Sequence, residues 1–122
     1  IMGKKLSPEE RIINKVISSR ISDSKTRAKK KGLDHDIDSE YIKHLLKVSG
    51  GKCPLTGKKF IIESNHPDNF SVDRIDSRKG YVRDNVWLVT DWANKAKSNL
   101  SLEDFLSNCN HIRNNNLYKI AV

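Results

Sequence analysis

A chain of 122 residues suits one compact domain and leaves no room for two independent cores. With 36% hydrophobic residues, 31% charged residues and a mean hydropathy of -0.65, it excludes a membrane-inserted protein, because no apolar run approaches the ~20 residues of a spanning helix. Its 23 basic against 15 acidic residues, net +8, favour polyanionic partners, nucleic acid ahead of an anionic membrane surface, since each Lys or Arg that meets a phosphate releases a condensed counterion.

The opening stretch IMGKKLSPEE holds no secretory hydrophobic region, and two cysteines, Cys53 and Cys109, are too few for a disulfide-built fold. The expected setting is therefore reducing and cytoplasmic. The charge is uneven along the chain. Residues 1–34 hold ten basic and four acidic groups, six of the net eight charges, while the remainder holds thirteen and eleven. This reads as a basic N-terminal arm, 1–34, joined to a nearly balanced module, 35–122.

The arm has the signals of a helix. Ser7 is a cap, Pro8 occupies the first turn, and Glu10 stands three residues after the cap. Ile12, Ile13, Val16, Ile17 and Ile21 form one apolar stripe, and Gly32 supplies the stop. Five cations in the last seven residues before it (Lys25, Arg27, Lys29, Lys30, Lys31) exceed what the helix dipole requires. They read as a phosphate-contacting face ahead of a merely solvated helix end. A second helix starts at the cap Asp38, carries Tyr41, Ile42, Leu45 and Leu46, and ends at Gly50-Gly51.

Residues 53–62, apolar on both sides of Thr56-Gly57, predict a hairpin. Strands are expected over 70–75 and 86–89, then a short helix capped by Asp91 and running to Lys97. Ser101 begins a last helix, broken by Asn114-Asn115-Asn116, whose Phe105, Leu106, Cys109 and Ile112 are expected to close the core.

Chemistry concentrates in residues 70–99. Two strands folded as a hairpin, with a helix returning across them, allow Asp73 and Asn94 to face one another. A carboxylate and an amide oxygen suit one Mg2+ or Mn2+ ion, which takes few protein ligands and fills its shell with water and substrate phosphate. Arg78, Lys79, Arg83, Lys95 and Lys97 add positive charge around that spot. A metal beside a phosphate-attracting surface implies phosphodiester hydrolysis.

Over roughly residues 25–106 the sequence resembles the HNH, or ββα-metal (His-Me finger), nuclease family. The resemblance is carried by Asp73-Arg74-Ile75-Asp76, Lys79-Gly80-Tyr81, Asn85-Val86, Asn94 and Lys97, with Cys53-Pro54-Leu55-Thr56-Gly57 upstream. It implies an α+β fold: a ββα-metal module flanked by N- and C-terminal helices, acting on DNA, in all expectation double-stranded and of phage or mobile-element context. It also implies that Asp73 and Asn94 are the metal ligands and that Asn85 holds the loop. The family's general base, a His after the metal-binding Asp, is replaced here by Arg74, which cannot lose a proton near neutral pH.

Three accounts of Arg74 stand at this point. The protein is active with another base (His66, Tyr81, or bulk solvent acting on an activated water), Arg74 then binding the scissile phosphate. Alternatively the fold only binds DNA, or Arg74 is a substitution that silences a toxic nuclease. Relatives with two Cys-x-x-Cys pairs hold zinc; here Thr56 stands where the partner of Cys53 would be, so no structural zinc is expected, and Cys53 and Cys109 read as small buried hydrophobes. His35, His44 and His111 read as surface or packing residues, Asp76 as an Asx turn, and Trp87 and Trp92 as core. Lys97 reads equally as a solvated helix end or a phosphate contact, and the oligomeric state stays open.

Overall fold

The computed structural model describes residues 5–121; Lys4, one of the ten basic residues counted above, lies outside them. The fold is mixed α+β, with five helices and one two-stranded antiparallel sheet among the described residues. No described helix is long and apolar enough to cross a membrane.

Helix α1, Pro8–Lys31, starts with a full capping box. The Glu10 amide donates to Ser7 Oγ at 3.1 Å, and the Ser7 amide donates to Glu10 Oε2 at 3.1 Å. It ends at Gly32, whose left-handed φ of 64° a glycine adopts without a Cβ penalty. Helix α2, Ser39–Val48, is capped by Asp38, which accepts from the Tyr41 amide. Strands β1, Phe70–Arg74, and β2, Val86–Thr90, pair antiparallel, and helix α3, Asp91–Lys97, follows without a linker. Helices α4, Leu102–Asn114, and α5, Tyr118–Ala121, complete the chain.

The core is built from α1, α2, the sheet and α3. Ile17 and Ala28 of α1 are buried with Ile42, Phe60, Phe70, Val72, Leu88 and Val89. Arg20 Nε donates to the Phe70 carbonyl at 2.8 Å, and Ser24 Oγ lies 2.7 Å from His35 Nε2. The basic N-terminal segment thus contributes a wall of the core.

Three sequence expectations are corrected. Residues 53–62 form a turn with one isolated bridge, Lys52 to Lys59, and no strands. Cys53 and Phe60 both point into the core, and the Ile61 amide donates to Asp68 instead of extending a ladder. The cap of α3 is Thr90, not Asp91: the threonine hydroxyl accepts from the Ala93 amide and Asp91 is the first helical residue. Finally, α4 does not close the core. None of its residues is buried, Cys109 is exposed, and Ile112 keeps 69% of its surface in solvent.

Candidate active site

The register of the hairpin sets the site. Asp73 stands directly opposite Trp87, and the indole Nε1 donates to Asp73 Oδ2 at 2.7 Å. Ser71 and Asp73 share one face because strand side chains alternate, while Asn94 and Lys97, three residues apart, share one face of α3. The two faces meet. Asn94 Nδ2 donates to Ser71 Oγ at 2.7 Å, and Lys97 Nζ lies 3.1 Å from Asp73 Oδ2. The Lys97 and Asp73 side chains are 1% and 7% exposed. Neither a solvated helix end nor a free phosphate contact describes Lys97; it is the buried counter-ion of Asp73.

Arg74 is buried too, and no carboxylate pairs with it among the described residues. Its Nη1 donates to the Ser77 carbonyl at 2.6 Å and the Lys79 carbonyl at 3.2 Å, and its guanidinium lies 5.2 Å from the centroid of the Tyr81 ring. Asn85 brackets the same loop. Its Oδ1 accepts from the Asp76 amide at 2.9 Å, while its Nδ2 donates to the carbonyls of Gly80 at 2.8 Å and Asp76 at 3.1 Å. Gly80 is needed where the loop passes residue 34, because a Cβ there would collide with the Asp34 carbonyl.

Asp76 forms the Asx turn: its Oδ1 accepts from the Arg78 amide at 2.9 Å. The Arg78 side chain and amide, donating to that carboxylate, hold its pKa down to about 2. His35 is pushed below its ordinary value by burial and by nearby Lys25.

Asp73, Arg74 and Asn94 line one cleft of about 380 Å³, together with Tyr81, Asp91 and Lys95. Three consecutive β1 residues, Val72 to Arg74, line it. Arg27 and Lys31, one turn apart near the end of α1, line it as well. Lys25, Lys29 and Lys30 are exposed on the same helix but do not line the cleft.

Several expected cations are already committed. Arg78 pairs with Asp76, Lys95 with Asp91 at 2.8 Å, and Arg83 with Asp38 while lying over the Tyr41 ring, on the α2 side. Lys79 and the five cations of residues 25–31 have no ion-pair partner among the described residues. His66 does not line the cleft; it is half-buried in the loop before β1, and its Nδ1 accepts from the Asp68 amide at 3.0 Å. Trp87 is half-buried against Asp73, whereas Trp92 is 60% exposed and not core.

The donor set fits a hard divalent cation in kind. Asn94 Nδ2 is used on Ser71, which leaves its Oδ1 free to coordinate. On Asp73, Oδ2 takes the indole and the closer ammonium contact, and Oδ1 has only Lys97 at 3.5 Å. One carboxylate and one amide oxygen match an ion that completes its shell with water and phosphate. No group of three or more His, Cys, Asp or Glu gathers among the described residues, so a metal cage made of protein alone is not what this cleft offers.

No protein-family model matches the chain, and no solved structure matches it. A stretch of 92 residues is 29% identical to the "Uncharacterized 29.0 kDa protein in dda-modA intergenic region" of Enterobacteria phage T4, covering 74% of this chain and 35% of that protein. The chain therefore spans about a third of the length of that relative.

Sequence reasoning gave Lys97, Trp87 and Tyr81 other roles: a helix end or phosphate contact, a core residue and a candidate base, instead of the counter-ion and indole donor of Asp73 and the ring against Arg74. The signal for Lys97 was present, since an i,i+3 pair with Asn94 meets the alternating Ser71 and Asp73. The positions of Trp87 and Tyr81 depend on register and loop path, which no local pattern fixes.

Proposed function

We propose that the chain is a Mg2+- or Mn2+-dependent DNA endonuclease of the HNH, or ββα-metal, type. The carrying observation is that Asp73, Asn94 and the ion-pair-free Arg74 line one cleft together with Arg27 and Lys31. β1, β2 and α3 would be the ββα module. Likeness to a phage protein agrees with a phage or mobile-element setting, with action on DNA in the host cytoplasm.

Asp73 and Asn94 hold one cation in this reading. When bound, it supplies Lewis-acid stabilisation of the negative charge that develops at the scissile phosphate. Arg74 does the same from the protein side, and its guanidinium is pre-aimed by the Ser77 and Lys79 carbonyls. Asn85 keeps those carbonyls in place by pinning the loop at Asp76 and Gly80. Arg27 and Lys31 hold neighbouring backbone phosphates, which positions the duplex without reading its sequence. Arg74 cannot accept a proton, His66 lies elsewhere, and the Tyr81 ring is buried against the Arg74 guanidinium, so the reading gives the attacking water's proton to solvent.

A second reading, a DNA-binding module without catalysis, is favoured by one observation: Lys97 already neutralises Asp73. Conversion of supercoiled plasmid to nicked circles separates the two. The nuclease reading expects nicking in Mg2+ or Mn2+ that chelation abolishes and Asn94→Ala severely slows. Absence of nicking in both metals leaves the binding module.

A further inference from the structure

The buried residues at the cleft carry more positive charge than they balance. Two buried cations, Arg74 in the cleft lining and Lys97 outside it, accompany one buried carboxylate, Asp73, which pairs with Lys97. Asp91, the cleft's other carboxylate, is held by Lys95. Taking a charge out of water is costly unless it is paired, so the Lys97 ammonium is bound to Asp73 and cannot simply swing into solvent. Arg74 has carbonyls but no counter-charge among the described residues, and such a cation lining a cleft calls for an anion.

We propose that Lys97 is a gating counter-ion that makes divalent-cation binding at Asp73 conditional on a bound phosphate. Without nucleic acid, an approaching Mg2+ meets a carboxylate whose charge is cancelled at 3.1 Å, in a cleft that Arg74 also lines. A backbone phosphate reverses the sign of the field: it neutralises Arg74 and brings oxygens of its own for the cation, while Lys97 stays on Asp73. Cation and DNA then bind with positive coupling, and each raises the affinity of the other by the same factor. The device keeps an ion from settling in the cleft before the strand is there.

This proposal rests on Asp73 and Asn94 being cation ligands, and its test does not depend on cleavage. Mn2+ binding to the DNA-free protein is followed by electron paramagnetic resonance of the free ion. Lys97→Met, which keeps the side chain's length but not its charge, is expected to bind Mn2+ about tenfold or more tightly than wild type. Asp73→Asn in the same protein should cancel that gain. Equal or weaker affinity in Lys97→Met overturns the proposal.

Because that variant leaves Asp73 with only the indole, the wild-type chain provides an independent measurement. Its affinity for a short duplex should be about tenfold or more higher with Mn2+ than with EDTA. An unchanged affinity overturns the proposal even if Lys97→Met does not fold. A Lys97 effect without nicking would sink the nuclease reading alone, whereas nicking with unaltered Mn2+ affinity in Lys97→Met would sink this one alone.

Discussion

Two residues apart in the loop after β1, Asp76 and Arg78 close a small circuit of hydrogen bonds, at 2.9 Å through the amide and 3.0 and 3.1 Å through the guanidinium. The Asp76 carboxyl is thereby held at about 2, against 3.8 in the open chain. A depressed carboxyl pKa means that the fold favours the ionised form. Its contribution is therefore complete above about pH 4 and is lost as pH falls towards 2. A carboxyl-carbon NMR titration should give Asp76 a midpoint near 2, returning towards 3.8 in Arg78→Ala. A wild-type midpoint at 3.8 would contradict the loop geometry. Asn85 is the costlier residue to lose. Its removal leaves the Gly80 carbonyl and the Asp76 amide without their partners, so Asn85→Ala should cost about 1–3 kcal/mol in chemical denaturation. A loss below about 0.5 kcal/mol would mean that water replaces the amide at no expense.

Among the elements, α1 and α4 carry almost the same sequence message and have opposite fates. Both start with a serine cap and acidic first turn, and both set apolar residues at helical spacing. Those local signals, with the Asp38 cap and the alternation in 70–74, made the helices and strands legible. Burial was not legible, because a stripe shows which face is apolar but not what covers it. In α1 the stripe meets the sheet and α2, with Ile17 1% exposed. In α4 the stripe faces solvent. Ile17→Ala should therefore cost about 2–5 kcal/mol, and Ile112→Ala should stay within about 0.5 kcal/mol, in the same denaturation experiment. Comparable losses would place α4 in the core after all. The segment 53–62 teaches the same lesson: the turn at Gly57 was local and readable, whereas the partner of Ile61 proved to be Asp68, not a facing strand.

At the level of the whole molecule, the net charge of +8 acquires a direction. Arg27 and Lys31 face the cleft, while Arg78, Arg83, Lys95 and Lys97 are held in ion pairs. Asp73 and Asn94 were legible as a pair from type and spacing, but the ammonium at 3.1 Å that compensates one of them was not. Removing residues 1–34 would remove Ile17 and Ala28 from the core along with the cations, so charge must be tested by substitution. Arg27→Gln with Lys31→Gln should lower the slope of log affinity against log salt by about 2 for a duplex. An unchanged slope would take both residues off the DNA path. The central claim is that one cleft both holds the backbone and cuts it, and Asp73→Asn tests it most directly when duplex affinity and plasmid nicking are measured on the same preparation. The account predicts affinity within about twofold of wild type in EDTA and nicking reduced by about a hundredfold or more in Mn2+. Nicking at the wild-type rate by Asp73→Asn would contradict it.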